Sequence, residues 1–348
     1  MQRLQWQATR FSVNQAFLKP RSPFWSALTA VKPWDSAKTV TYVLRQNGHG
    51  IARAGLLQAQ RRPNRPEADI LLLAPALDTR TGHPAIWEKL LAHYLNEAVQ
   101  QQTQRIYADV PDQPLLESTF AHVGFRTYSR QTVWRLPGGA LDGWTARGKN
   151  AVRPRTRTDE WGLIQLYARC TPDRVQLAEG AGATPEGRPP ILDWCHGGES
   201  QQYVLASSGV VLGSVRVVVG DTGALLECWA EPGRSGSDEW AQLLGAGLSA
   251  LTGRRKRLPV YVAVKEFQGG LAPVLADAGF APFADHARMV RQTVQRVVGT
   301  ESVRMSALEA IPEALTTFRP LPDATAPGSL PEHTLAHRRS RRQSPRRM

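Results

Sequence analysis

Three short patterns each occur twice in this chain, in the same order, and a repeat of that length constrains the fold more than any single motif does. Tyr42-Val43-Leu44 with Gly48 returns as Tyr203-Val204-Leu205 with Gly209. Trp87, Leu90, Leu91 and Leu95 return as Trp240, Leu243, Leu244 and Leu248. Gly124-Phe125 returns as Gly279-Phe280. The offsets are 161, 153 and 155 residues, so the loops differ in length while the elements keep step. A chain built this way is expected to fold as two tandem copies of one unit.

Each pattern has a local meaning. Tyr-Val-Leu followed by a glycine reads as a strand closed by a turn. A second strand follows it, over Ile51–Leu57 in one copy and Val210–Val219 in the other. Third strands over Ile70–Leu73 and Leu225–Trp229 are apolar enough to be buried on both faces. Trp/Leu/Leu/Leu at i, i+3, i+4 and i+8 is one face of a helix packed on a sheet. Pro84 and Ser237-Asp238-Glu239 are start signals for those helices. Fourth strands are expected over Arg105–Val110 and Val260–Val264, second helices over Pro114–His122 and Gly270–Asp277. Final strands are expected over Thr127–Leu136 and Ala287–Val297. The fold class is α/β, a mixed sheet covered by helices.

The expected organisation is an N-terminal extension (1–24), a first unit (25–140), a linker and entry strand (141–157), a second unit (158–298) and a largely disordered tail (299–348). Thr158-Asp159-Glu160 is expected to cap a helix over Trp161–Arg169, and Glu179–Pro190 to form a flexible loop. Six of the thirteen net positive charges fall in the tail, between Arg338 and Arg347. Such a segment either draws an acidic partner such as RNA by counterion release or keeps the chain soluble. It lacks the aromatic residues that stack on bases. Three cysteines without C-x-x-C spacing suggest neither a disulfide framework nor a zinc site. No apolar run nears the roughly 20 residues of a membrane span, and no signal segment is evident, so a cytoplasmic location is expected.

The element order, with a helix after a buried strand and Gly-Phe after the last helix, resembles the GNAT superfamily of acyl-CoA-dependent N-acetyltransferases. The likeness covers roughly residues 25–136 and 150–295. In that family N-x-x-A-x-x-x-Y-x-x-x-G-F marks the last strand–helix unit. The copies here read Gln113, Leu116, Phe120, Gly124, Phe125 and Gln268, Leu271, Leu275, Gly279, Phe280. Glutamine replaces the asparagine in both. The tyrosine that protonates the departing coenzyme A thiolate is absent from both, and Phe120 and Leu275 are expected to be packing residues.

The resemblance further implies a loop that cradles the pyrophosphate of acetyl-CoA or another acyl-CoA. Backbone N–H groups at a helix N-terminus and the helix dipole favour the anion there. The nearest matches are Arg80-Thr81-Gly82-His83-Pro84-Ala85, with Arg80 and Ala85 in place, and Gly233-Arg234-Ser235-Gly236. Electrostatics favours the first, since Asp238 and Glu239 follow the second. Acyl transfer to a primary amine also needs that amine neutral. Glu227, on the third strand of the second copy, is the candidate base, its pKa raised by burial; the competing reading points its side chain to solvent. The alternative function is a catalytically inactive scaffold that docks an acidic partner through its tail. Cys195-His196 and His49 read as loop residues, Cys228 as a small buried hydrophobe. Arg254–Arg257 read as a cationic helix end.

Overall fold

A computed structural model describes residues 8–18, 39–45, 54–63, 65–141, 152–181, 188–192, 199–231, 237–251 and 253–293. The first copy comprises β2 (Thr39–Arg45), β3 (Ala54–Arg61), β4 (Glu67–Ala74), α2 (Pro84–Gln100), β5 (Arg105–Pro111), α3 (Pro114–His122) and β6 (Arg126–Leu136). The second repeats that order as β8 (Glu199–Ser207), β9 (Val210–Val219), β10 (Ala224–Ala230), α6 (Ser237–Ser249), β11 (Val260–Lys265), α7 (Leu271–Asp277) and β12 (Ala281–Gln292). Before the first lie β1 (Thr9–Arg10) and α1 (Val13–Phe17). Between the copies lie β7 (Val152–Pro154), α4 (Glu160–Cys170) and α5 (Asp173–Ala178). The tandem α/β arrangement expected from the repeat is the one the chain adopts.

Local chemistry explains the punctuation. Ser208 and Gly209 both have positive φ, the geometry a tight hairpin between β8 and β9 requires. Gly124 and Gly279, with φ of 86° and 85°, end α3 and α7 in the left-handed conformation that glycine adopts without steric cost. The cap between the copies differs from expectation by two residues. Thr156 is the capping residue, its side chain and backbone engaging Asp159 reciprocally. Asp159 is also held by Arg153 at 2.7 and 2.8 Å.

Among the described residues all the strands belong to one sheet, ordered β2-β3-β4-β5-β12-β6-β11-β10-β9-β8-β7, with β1 added beside β4. The two final strands are exchanged. β12, from the second copy, pairs with β5 of the first, and β6 pairs with β11 of the second. Boundaries at 25–140 and 158–298 therefore do not enclose two closed units, because each sheet half is completed by the other copy's last strand. β12 also begins six residues before the expected Ala287. Its first stretch, with Pro282 and Asp285, is held by pairing to β6 across a bulge at Pro282–Ala284, where a proline is tolerated.

The packing beneath the sheet stays divided in two. Trp87, Leu91, Phe120 and Phe125 share a core with Met289 of β12. Trp240, Leu244, Leu275 and Phe280 share another with Leu136 of β6. Trp87 and Trp240 thus occupy equivalent places, each on the helix that covers its half. Gly55 and Gly213 let those helices approach: a Cβ on Gly55 would meet Ile86 at 2.3 Å, and one on Gly213 would meet Leu243 at 2.7 Å.

The segment assigned as an extension over 1–24 is in part woven into these cores. Phe11 is buried in the first, and Leu18 packs with Val133, Val218 and Leu225 on the opposite sheet face. Among the described residues, no helix is long and apolar enough to cross a membrane.

Candidate functional site

β4 and β5 run parallel, and their pairing ends at Asp69–Tyr107. β10 and β11 do the same and part after Leu226–Val262. Each copy therefore contains a wedge where two neighbouring strands diverge and their backbone groups need other partners. The two wedges are filled differently.

In the first copy the chain's own N-terminal segment enters the wedge. Thr9 and Arg10 pair with Leu73 and Leu72. The Phe11 N–H donates to the Leu71 carbonyl at 3.0 Å, and the Phe11 carbonyl accepts from Asp109 N–H at 2.8 Å, so one residue bridges both strands. Its ring is seated 5.5 Å from Trp87 and 5.0 Å from Phe120. In the second copy the described bridge is a single side chain. Gln268 Nε2 donates to the Cys228 carbonyl at 2.7 Å, and Gln268 Oε1 accepts from Lys265 N–H at 3.0 Å.

A cavity of about 520 Å³ opens beside these wedges. Strand alternation places it. Leu226 and Val262 face the second core, whereas Leu225, Glu227, Trp229, Ala263 and Lys265 border the cavity on the other side. Its walls carry buried ion pairs. Arg216 donates Nε to Glu227 Oε2 at 2.8 Å, makes a second bond to the same oxygen through Nη2, and donates Nη1 to the Pro190 carbonyl at 3.1 Å. Arg288 donates Nη1 to Glu179 at 2.8 Å and lies 3.7 Å from Asp109. Tyr167 donates its hydroxyl to the other Glu179 oxygen at 2.5 Å.

These neighbours decide the protonation states. Burial acts to raise the Glu227 carboxyl, but the charges of Arg216 and Lys265, with the Arg216 hydrogen bond, override it and hold the group below the ordinary glutamate value. The expected raised pKa is therefore corrected; Glu227 keeps 27% of its side chain exposed and borders the cavity. Glu179 is lowered likewise, burial being outweighed by Arg288 and Lys265. It is not part of a flexible loop; at 4% exposure it is a buried anchor. Burial depresses the Lys265 ammonium, against the pull of Glu179 and Glu227.

His83 caps α2, its Nδ1 accepting from Ala85 N–H at 3.2 Å. Ile86 N–H donates to the His83 carbonyl, Gly82 N–H donates to the Thr79 carbonyl, and Pro84 has no N–H. The N–H groups of Gly82, Ala85 and Ile86 at this helix end are engaged within the chain, and Pro84 offers none. The Arg80–Ala85 loop is thus a self-capped turn in this structure, with Arg80 and Thr81 exposed at its edge. Gly82 packs so closely that a Cβ would lie 2.1 Å from the Ala76 carbonyl.

Gly233, Arg234, Ser235 and Gly236 lie outside the described residues, as do His49, Cys195, His196 and the tail from 299. Gln113 is exposed and its side chain makes no cap bond, whereas Gln268 is buried in the second wedge. The two glutamines match in sequence but not in surroundings. Phe120 and Leu275 are fully buried packing residues, as expected. Cys228 is 3% exposed, its thiol pushed up to about 12 by burial and Glu227. Arg255 pairs with Glu199, an interaction that helix-end reasoning did not foresee. Among the described residues no cluster could hold a metal ion.

Sequence reasoning missed Phe11, Glu179, Arg216, Lys265 and Arg288. A signal for two of them was present. Arg216 and Lys265 are lone cations on otherwise apolar strands, and a lone charge there needs a partner across the sheet face. Arg288 shares its strand with Asp285, His286 and Arg291 and does not stand out in this way.

No protein-family model matches the chain, and no curated protein does. Among solved structures the chain is similar to a tandem GNAT protein from the clavulanic acid biosynthesis pathway, solved without AcCoA. That likeness has 16% identity and a TM-score of 0.46, covering 78% of this chain and 88% of that one. It is also similar to a GCN5-related N-acetyltransferase from Sphaerobacter thermophilus (12% identity, TM-score 0.42, 69% of this chain and 81% of that one). A third likeness is to a GCN5-related N-acetyltransferase from Kribbella flavida (11% identity, TM-score 0.42, 70% and 88%).

Proposed function

We propose that this chain is a tandem GNAT-type N-acyltransferase that moves an acyl group from acetyl-CoA or another acyl-CoA to a primary amine, with one working site, in the second copy. The observation that carries this reading is the contrast between the wedges. The first is filled by Phe11 and the strand before it; the second is spanned by one displaceable side chain and gives onto the cavity. The first copy then serves as structure, supplying β6 to the sheet half that holds the site.

In this reading the pantetheine arm lies between β10 and β11. Rotation of Gln268 releases the Cys228 carbonyl and the Lys265 N–H, the two backbone groups an extended amide-bearing chain needs there. Residues 233–236, just before α6 in sequence, take the pyrophosphate. Glu227 stays ionised and holds the acceptor's ammonium at the mouth of the wedge, so its role is that of an anchor and not of a base with raised pKa. The amine gives its proton to cavity water and attacks the thioester carbon. The C–N bond forms, the C–S bond breaks, and the nitrogen loses its second proton to water as the amide forms. The coenzyme A thiolate takes a proton from solvent, since Phe120 and Leu275 carry no acidic proton. Holding the two reactants together supplies most of the acceleration.

Calorimetric titration of the full chain with acetyl-CoA tests the proposal. One site per chain is expected, weakened at least tenfold by Gly236→Asp and unaffected by Arg80→Ala. Two equal sites would refute the one-site assignment, and no binding would refute the reading for that donor.

A further inference from the structure

We propose that the acceptor bears a carboxylate beside its amine, as an amino acid does, and that Lys265 with the Trp229 indole N–H receives that carboxylate. The inference rests on the acyl-transfer reading for the identity of the reaction, but the anion site is argued from the cavity alone. Seven Arg or Lys residues border the cavity against four Asp or Glu residues. The ion pairs show where the surplus sits. Arg62 is gripped by Asp69, Arg65 by Glu67, Arg216 by Glu227, and Arg288 by Glu179 and Asp109. Arg188 reaches out to Glu160, and Arg61 to the Gln101 carbonyl.

Lys265 is different. Among the described residues no carboxylate lies within 4.0 Å of its ammonium, which sits 5.5 Å from the Trp229 ring and 5.8 Å from the Phe267 ring, with Glu179 and Glu227 acting on it only at longer range. Beneath it, Trp229 is 1% exposed and its Nε1–H is buried without an acceptor. A buried donor without an acceptor destabilises the fold, and a desolvated ammonium without a contact ion pair does so more. One carboxylate satisfies both groups. Glu227, on the strand facing Lys265 across the wedge, is placed to take the ammonium of the same molecule. A zwitterionic amino acid thus fits the pattern of charges better than a simple amine, and the cavity is large enough for one.

The test uses matched pairs differing only in the carboxylate: tyrosine against tyramine, phenylalanine against phenethylamine, lysine against cadaverine. Each is titrated into the full chain by calorimetry, with and without saturating acetyl-CoA. The expected result is at least tenfold tighter binding of the carboxylated member in at least one pair. Lys265→Met should reduce that preference below threefold, and Lys265→Arg should retain it. Equal affinities, a preference for the decarboxylated amines, or no binding by any pair would overturn the proposal. Failure of acetyl-CoA to bind, with the carboxylate preference intact, would instead sink the acyl-transfer reading and leave the anion site standing.

Discussion

Gln131 and His286 face each other as partners where β6 meets β12, and they are separated by the same 155 positions that separate Gly124 from Gly279. A residue that pairs with its own repeat equivalent sits on the pseudo-twofold axis relating the copies. The exchange of final strands is therefore symmetric, and the axis runs through the middle of the sheet.

The axis has a chemical asymmetry, since one copy contributes glutamine and the other histidine. Burial lowers the His286 pKa despite the opposing pull of Asp109, Asp285 and Asp112, and its Nδ1 is buried without a partner. A histidine whose folded pKa is depressed is neutral in the native state, while the unfolded chain takes up a proton near the ordinary value of about 6.5. Stability is then complete above that value and declines as pH falls through it toward the folded pKa. His286→Gln should flatten this dependence, so the unfolding midpoint of the variant falls less between pH 7.5 and 5.5. Parallel curves for the two proteins would contradict the assignment.

Phe11 carries a second prediction. Its ring fills the space between Trp87 and Phe120, so Phe11→Ala should cost about 3–5 kcal/mol through lost burial and a residual cavity. Urea unfolding reads this directly. A loss under about 1 kcal/mol would be that of a surface substitution, and would mean that the segment is not seated in the wedge.

Much of the architecture was legible because the repeat and the periodicities act locally. β9 and α3 fall at the expected residues, and α2 and α6 begin at the expected start signals. The exchange of β6 and β12 was not legible. The pattern of a strand says which faces are buried, not which chain segment lies alongside. The start of β12 was missed for the same reason: Ala281–Asp285 has no apolar alternation and is a strand only because β6 pairs with it. Glu227 stood out as a charge inside an apolar strand. The sign of its pKa shift could not be read, because burial and Arg216 act in opposite directions and Arg216 is 11 residues away. The N-terminal plug has no motif at all, since a short extended segment is recognised only by the gap it fills.

The helix approach at Gly55 is tight enough to test the first core. A side chain there would enter the space of Ile86 Cγ2 at 2.3 Å and Leu90 Cδ1 at 3.0 Å. Gly55→Val should cost at least about 1–3 kcal/mol by overpacking, measured as a fall in the denaturation midpoint. The same substitution at Gly209, where a Cβ meets nothing within 4 Å, should act through its positive φ alone. If the two positions responded alike, close packing would not be the reason for glycine at 55.

The Arg216–Glu227 pair offers the sharpest separation of stability from function. Its two bonds lie against Trp229, over whose ring the Arg216 guanidinium sits at 5.1 Å, and Arg216 is nearly buried. Removing one partner leaves the other charge uncompensated, so Arg216→Met should cost about 3–5 kcal/mol. Replacing both, as Arg216→Met with Glu227→Met, should recover most of that loss, because hydrophobic residues of similar volume often match a buried ion pair. A double-mutant cycle by denaturant unfolding gives the coupling. The double variant should nevertheless bind amines poorly, having lost the carboxylate assigned to the acceptor's ammonium. Equal loss of stability in the single and double variants would show that Arg216 is held chiefly by other contacts, such as its bond to the Pro190 carbonyl. Unchanged amine affinity in a stable double variant would remove Glu227 from the site.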